Sequence, residues 1–189
     1  MGLEFELKYA ATQDVLRAIA QQFGEFSRIA METTYFDTAL RALSSKKMTL
    51  RCRYENEDTV CTLKTPAAGA ARGEFDVHAD WSAAAVDGLF AAAGIAPPDF
   101  DALSPVCGAR FTRLAKTLTL PDCTVELALD EGVLLGGGKE IPLCELEVEL
   151  KSGSQEAVCR WASLLAQLYG LHQEPHSKFK RALALAEGA

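Results

Sequence analysis

The feature that most constrains the fold is a strict alternation of charged and apolar residues in short segments. Near the N-terminus, LEFELKYA places Glu4, Glu6 and Lys8 in one register and apolar residues in the other. The segment ELEVEL, at 145–150, repeats the pattern with three glutamates. A period of two residues is typical of a β-strand with one apolar and one polar face. The chain is therefore predicted to form a sheet that carries an unusually charged face.

Eight segments carry strand patterns, and four stretches carry helical patterns. The predicted strands cover residues 3–9, 27–36, 47–54, 59–65, 72–80, 108–119, 124–130 and 144–151. The predicted helices cover residues 13–23, 83–93, 155–168 and 176–187. Each of the first three follows a Thr or Ser suited to an N-cap and is closed by a glycine. We expect one domain over 1–189, with an α+β fold that is mainly antiparallel β.

The charges segregate by sign. Carboxylates gather on the first, seventh and eighth strands, whereas Arg51, Arg53 and Lys64 gather on the third and fourth. Like charges side by side are unfavourable unless a counter-ion or ligand lies against them. Closely spaced carboxylates without histidine or cysteine suit Mg²⁺ or Mn²⁺, and guanidinium groups suit phosphate oxygens. A polyphosphate with its divalent metal would satisfy both clusters.

A closed barrel with its charged register inward would bring the two clusters together. Eight strands can close and still admit one small ligand, and the helices would then pack on the apolar outer face. A half-solvated antiparallel sheet also alternates in this way, so the pattern alone leaves both arrangements open.

Composition narrows the class of partner. The net charge of −7 argues against general nucleic-acid binding, which needs a basic surface. No apolar run reaches membrane-spanning length and no signal peptide is evident, so we expect a cytoplasmic protein without a membrane partner. The six cysteines have no metal-binding spacing and are interpreted as reduced apolar fillers. Oligomeric state is left open, with a homodimer as one option.

A series of motifs in fixed order resembles one family. The motifs are EFELK (4–8), YFDT (35–38), LRCR (50–53), TLK (62–64), RGE (72–74), Arg113, VELALDEG (125–132), ELEVEL (145–150) and SKFKR (177–181). Together they resemble the CYTH proteins, or triphosphate tunnel metalloenzymes, over residues 1–183. The resemblance implies an eight-stranded antiparallel tunnel that binds a small triphosphate with Mg²⁺ or Mn²⁺. The bacterial inorganic triphosphatases are the most similar group.

The resemblance also implies roles for individual residues. The implied metal ligands are Glu4, Glu6, Glu126, Asp130, Glu145, Glu147 and Glu149. The implied phosphate-binding residues are Lys8, Arg51, Arg53, Lys64, Arg113, Lys178 and Arg181, with Glu74 as an inward acid that orients a basic residue. One departure is Phe111, which stands where many members have a basic residue.

The expected reaction is hydrolysis of the terminal phosphoryl group of a triphosphate, with tripolyphosphate giving pyrophosphate and phosphate. Glu4 or Asp130 would orient the attacking water, and Lys8 would bind phosphate or take part in proton transfer. Two alternatives stay open: a class IV adenylate cyclase acting on ATP, and a non-catalytic polyphosphate-binding module. The cyclases often carry a histidine and an aromatic residue before E-x-E-x-K, where this chain has only Met-Gly-Leu.

Two further groups of acidic residues are interpreted as structural. Asp76, His78 and Asp80 resemble a metal triad, but a solvated strand end explains them better. Asp37, in the YFDT motif, is expected to be a turn residue.

Overall fold

The computed structural model describes residues 2–66 and 72–188. The strands are β1 (Gly2–Glu4), β2 (Glu6–Ala10), β3 (Ser27–Thr38), β4 (Thr49–Glu55), β5 (Asp58–Pro66), β6 (Arg72–His78), β7 (Leu103–Leu120), β8 (Cys123–Gly136), β9 (Lys139–Gly153) and β10 (His172–Gln173). The α-helices are α1 (Gln13–Phe23), α2 (Ala83–Ala93), α3 (Gln155–Tyr169) and α4 (Lys178–Glu187). Short 3₁₀ turns cover Ser44–Lys46 and Phe100–Ala102.

The described strands form one antiparallel sheet in the order β1-β6-β5-β4-β3-β7-β8-β9-β2-β10. β1 and β2 are separated only by Phe5, yet they pair with strands near opposite ends of this order. The sheet must therefore curl until its two ends approach each other at Phe5. All eight predicted strands are present, the first of them split in two. The expected closure is not confirmed, because hydrogen bonds between strands do not complete a ring.

The helices begin and end at the signals found in the sequence. The side chains of Thr12, Ser82, Ser154 and Ser177 each accept a hydrogen bond from a backbone amide in the first turn of their helix. Each of the four helices ends at a glycine with positive φ, where a side chain would be strained. The helix predictions are thus confirmed to within about two residues. In the described part of the chain, no helix combines the length and the apolar character needed to cross a membrane.

The apolar register of the sheet faces outward and is covered by helices. On one side, α1 and α3 pack through Ile19, Val158 and Ala162 on β8 and β9, whose Leu127 and Val148 are fully buried. On the other side, α2 packs its buried residues on β5 and β6, in a cluster that also contains Leu50 and Cys52 of β4. Because neighbouring residues of a strand point to opposite faces, this packing turns the charged register toward the concave interior.

The acidic groups expected to be structural lie at a turn and at an exposed strand end. Asp37 accepts hydrogen bonds from the backbone amides of Thr38, Leu43 and Ser44, and so fixes the turn after β3, as predicted. Asp76, His78 and Asp80 are exposed at the end of β6, which agrees with a solvated strand end.

A close approach of backbones holds α4 against the β8–β9 hairpin. A Cβ atom at Gly136 would lie 2.3 Å from the carbonyl oxygen of Ala182 and 2.7 Å from the amide nitrogen of Ala186. Only glycine allows this contact, and α4 carries Lys178 at its first turn. The close packing of Gly136 on α4 therefore helps to position Lys178 in the interior.

We expect Gly136→Ala to lower the free energy of unfolding by about 1–3 kcal/mol, because the helix must shift to admit the methyl group. Urea denaturation measures this. The matched control is Gly88→Ala within α2, where an added Cβ meets nothing within 4 Å. That change should be neutral or stabilising by up to about 1 kcal/mol. Equal effects of the two substitutions would contradict the packing described.

Candidate functional site

The concave interior contains a cavity of about 90 Å³ whose walls are mostly charged. Six cationic side chains line it, and they come from four strands and from α4: Lys8, Arg51, Arg53, Lys64, Arg113 and Lys178. Three carboxylates also line it: Glu6, Glu147 and Glu149. The sheet therefore brings together six of the seven predicted phosphate-binding residues. This excess of positive charge suits an anionic ligand.

A second cavity, of about 360 Å³, shares part of its lining with the first. It shares Arg51, Arg53, Arg113 and Glu149 with the first cavity. Its remaining charged lining is mostly acidic and comprises Glu55, Glu74, Asp76, Glu126 and Lys151. The interior is thus polarised along the strands, basic beside α4 and more acidic at the opposite end.

The strand register arranges the acidic residues in two rows. Glu149 lies directly opposite Glu6 of β2 and Glu126 of β8, which makes one row of three carboxylates across three strands. Lys151 neutralises part of this row, with its Nζ 2.8 Å from Glu149 and 3.7 Å from Glu126. Lys8 Nζ lies 2.5 Å from Glu6 Oε1. The row faces the cavities and is only partly buried.

The second row is a buried ionic network. Glu145 lies opposite Asp130, which lies opposite Arg113 on β7. Arg113 donates two hydrogen bonds to Asp130, at 2.8 and 2.7 Å, and a third to Glu147. Lys178 Nζ lies 2.8 Å from Asp130 Oδ2 and 2.7 Å from Glu147 Oε1, and it also contacts Glu145. Arg181 completes the network through Glu145.

Burial and charge pull the pKa values of this network in different directions. Burial disfavours ionisation of Glu147, but Lys178 and Arg113 outweigh it and hold its pKa well below the usual range. Burial raises the pKa of Glu145 to about 7, although Lys178 opposes the shift. Burial also disfavours the charge on Lys178, but Asp130 and Glu147 outweigh it and raise its pKa. Lys178 therefore remains an internal cation of the network.

Arg53 is a largely buried cation that lies close to a second arginine. Burial and the neighbouring charge of Arg51 lower the pKa of the Arg53 guanidinium, and Glu55 only partly offsets them. Its Nε atom is buried and makes no hydrogen bond to any group that the structure describes. A buried donor without an acceptor is costly, so this atom favours a ligand with oxygen acceptors.

Comparison with known proteins identifies the fold family. A model of the CYTH domain matches residues 2–183. The chain belongs to the CYTH family. This match agrees with the ordered motifs and with the charged interior.

Three known proteins show what this CYTH chain is similar to. It is 26% identical over 195 residues to an inorganic triphosphatase of Haemophilus influenzae, with 96% of this chain covered. The match spans only 54% of that relative, about half its length. Two solved structures show the same fold at 18% identity. A candidate adenylyl cyclase from Hippeastrum, reported to have a dominant triphosphatase activity, has a TM-score of 0.70 and coverages of 100% and 96%. A candidate adenylate cyclase from Bacillus halodurans has a TM-score of 0.67 and coverages of 96% and 98%.

The remaining predicted site residues of the CYTH chain differ in their burial and in their charged partners. Glu74 contacts both Arg51, at 3.4 Å, and Lys64, at 3.2 Å, as expected of an acid that orients basic residues. Asp130 and Glu145 have no exposed surface, and Arg181 binds Glu145 and Glu174. The Glu4 side chain lies outside the described part of the structure, although its backbone belongs to β1.

Several residues of the interior were not found from the sequence. Thr33 and Tyr35 of β3 line the cavity, but their strand carries few charges in its inward register and gave no signal beyond the YFDT motif. Phe111 also lines the cavity, with Arg113 and Lys178 at 5.9 and 5.4 Å from its ring centre. The face of the ring attracts these two cations, but it supplies no positive charge in place of the basic residue.

The pH dependence of stability tests the network. A carboxylate with a depressed pKa adds stability above its unfolded pKa, and this stability is lost as the pH falls through its folded pKa. Glu147→Gln should therefore lower the free energy of unfolding by about 3 kcal/mol near neutral pH. The gap between wild type and variant should narrow as the pH falls below the pKa of an unfolded glutamate and through the lower folded pKa of Glu147. Urea denaturation at several pH values measures the gap, and a gap that does not change with pH would argue against an ionised, paired Glu147.

Proposed function

We propose that this protein hydrolyses the terminal phosphoryl group of a triphosphate, with inorganic tripolyphosphate as the substrate. The observation that carries the proposal is the convergence of six cations on one small cavity. A linear triphosphate carries several negative charges in a narrow chain, so it matches a cavity with cations on opposing walls. The inorganic triphosphatase of Haemophilus influenzae and the triphosphatase activity of the Hippeastrum protein support the same class of reaction.

The carboxylates fit a divalent ion in one of two places. Oxygen atoms of Asp130, Glu145 and Glu147 lie within 4.8 Å of one another, but the same groups already bind Lys178 and Arg113. Glu6 and Glu149 face the cavity and are more exposed than the buried cluster, with 23% and 27% of their side-chain surface accessible. We assign the ion to this row, which also contains Glu126. Mg²⁺ or Mn²⁺, when bound, would neutralise charge that develops on the phosphate oxygens.

The residues of this chain supply positioning and charge. Arg51, Arg53 and Lys64 would hold the phosphates from one wall, and Lys8 and Arg113 from the other. Burial disfavours the charge on Lys8, but Glu6 and Glu147 outweigh it and raise its pKa. Lys8 is therefore suited to binding phosphate rather than to proton transfer. Asp130, enclosed by Arg113 and Lys178, is suited to positioning those cations rather than to orienting water.

Phosphate release from tripolyphosphate, ATP, thiamine triphosphate and pyrophosphate, with and without a chelator, tests the proposal. We expect equal amounts of phosphate and pyrophosphate from tripolyphosphate, and no release once Mg²⁺ and Mn²⁺ are chelated. Cyclic AMP measured in the ATP reaction tests the cyclase alternative. Cyclic AMP formation without phosphate release would replace our proposal with a cyclase. Tight tripolyphosphate binding without turnover would replace it with a binding module.

A further inference from the structure

Two cysteines face each other across the strands that carry the arginine cluster. Cys52 of β4 is the direct register partner of Cys61 of β5. All six cysteines lie in the described part of the chain, and no other two are register partners there. Both thiols are buried on the outward, apolar face, beneath α2.

The hairpin register gives this pair a backbone position that suits a disulfide. The β4–β5 turn contains two residues and is closed by the pair Glu55 and Asp58. In such a hairpin the closing pair is hydrogen-bonded. Along the ladder, hydrogen-bonded pairs then alternate with non-hydrogen-bonded pairs. Cys52 and Cys61 are three pairs from the turn and so form a non-hydrogen-bonded pair. Cα atoms of such pairs lie about 4.5 Å apart, inside the range of roughly 4.4–6.8 Å found for disulfides.

The local contacts distinguish the two thiols. The contact with Cys61 lowers the pKa of Cys52, whereas the same contact and burial raise the pKa of Cys61. The Cys61 sulfur also lies 3.4 Å from the carbonyl oxygen of Ala79. Cys52 is therefore the thiol better suited to act as a nucleophile.

We propose that Cys52 and Cys61 are a modification site, at which a small organic disulfide converts the two thiols into one cross-strand disulfide. The Cys52 thiolate attacks one sulfur of the reagent, forms a mixed disulfide and expels a thiolate. Cys61 gives its proton to that thiolate, attacks the Cys52 sulfur and expels the second thiol. One reagent disulfide is thus reduced to two thiols as one protein disulfide forms.

A disulfide between Cys52 and Cys61 would affect the charged cavity through the backbone of β4 and β5. Arg51 and Arg53 flank Cys52, and Thr62 and Lys64 follow Cys61, all on the opposite face of the same two strands. A bond between the strands would restrict the part of the sheet that carries three of the six cavity cations. Because both thiols are buried, we expect slower reaction than at Cys159, which is exposed.

Peptide mapping after oxidation tests the proposal independently of any activity. The reduced, native protein is incubated with oxidised β-mercaptoethanol, quenched by alkylation in denaturant, and digested. We expect a Cys52–Cys61 linked peptide that lacks two hydrogens, with Cys159 present as a mixed disulfide. Cys144→Ser, the matched control, should keep the link. Cys61→Ser should lose it and trap the reagent on Cys52.

Thermal unfolding gives a second readout. Oxidation should raise the Tm of the wild type, a reducing agent should reverse the rise, and Cys61→Ser should show no change. The proposal would be overturned if Cys52 and Cys61 stayed free thiols in native protein whose Cys159 was fully modified. A link that forms only in urea would overturn it equally.

Discussion

Lys178→Met is expected to lower the free energy of unfolding by about 3–5 kcal/mol, the largest stability effect predicted here. Lys178 Nζ is buried among three carboxylates, and the methionine would remove the one cation that contacts all of Asp130, Glu145 and Glu147 in the described structure. A buried charge that loses its partner keeps the full penalty of leaving water. Urea denaturation near neutral pH measures the change.

Lys180→Met is the matched control for this experiment. Lys180 lies two residues further along α4 and is exposed, so the same substitution should change stability by no more than about 0.5 kcal/mol. Losses of similar size in the two variants would contradict a buried ionic network around Lys178. Circular dichroism of both proteins before denaturation distinguishes a loss of stability from a loss of fold.

The second large effect is expected on catalysis. Glu6→Gln and Glu149→Gln should each reduce kcat/KM for tripolyphosphate by about 10²–10³-fold, since each removes a carboxylate charge from the row that faces the cavity. Both variants should also require a higher Mg²⁺ or Mn²⁺ concentration for half-maximal activity. Mn²⁺ binding followed by paramagnetic resonance gives a readout that does not depend on turnover.

Glu140→Gln controls for the loss of one negative charge. Glu140 is exposed and pairs with Arg110 at 3.2 Å on the outer surface, so both kcat/KM and metal affinity should stay unchanged. If Glu6→Gln and Glu149→Gln bound Mn²⁺ as tightly as Glu140→Gln, the divalent ion would have to lie elsewhere. The buried cluster of Asp130, Glu145 and Glu147 would then be the next candidate.

The secondary structure could be predicted closely because its signals are local. Capping by Thr12, Ser82 and Ser154 and a period of two in the strands depend only on neighbouring residues. The break at Phe5 could not be predicted, because it arises where one short segment pairs with two different strands. The closed barrel was expected from the two charge clusters and from the family resemblance, but neither determines the hydrogen bonds between the ends of the sheet.

The site was predicted as a set of charges but not as an arrangement. Alternation predicted that Arg51 and Arg53 face inward with Glu147 and Glu149, and all four line the cavity. The sequence could not separate Glu145 from Glu149, because both occupy the same register of β9. Glu145 is enclosed only because Lys178 and Arg181 approach it from α4, more than thirty residues away. That contact depends on the packing of Gly136 under the helix, which no local pattern reveals.

The central claim is that the cations of the interior bind a triphosphate, and titration calorimetry tests it most directly. Tripolyphosphate would be titrated into wild type, Arg53→Gln and the surface control Arg160→Gln, with Mg²⁺ present. Arg160 is exposed and pairs with Glu156, so its variant should bind as the wild type does. We predict that Arg53→Gln binds at least about tenfold more weakly, since it loses a charge-assisted contact. Equal affinity in all three proteins would contradict the account.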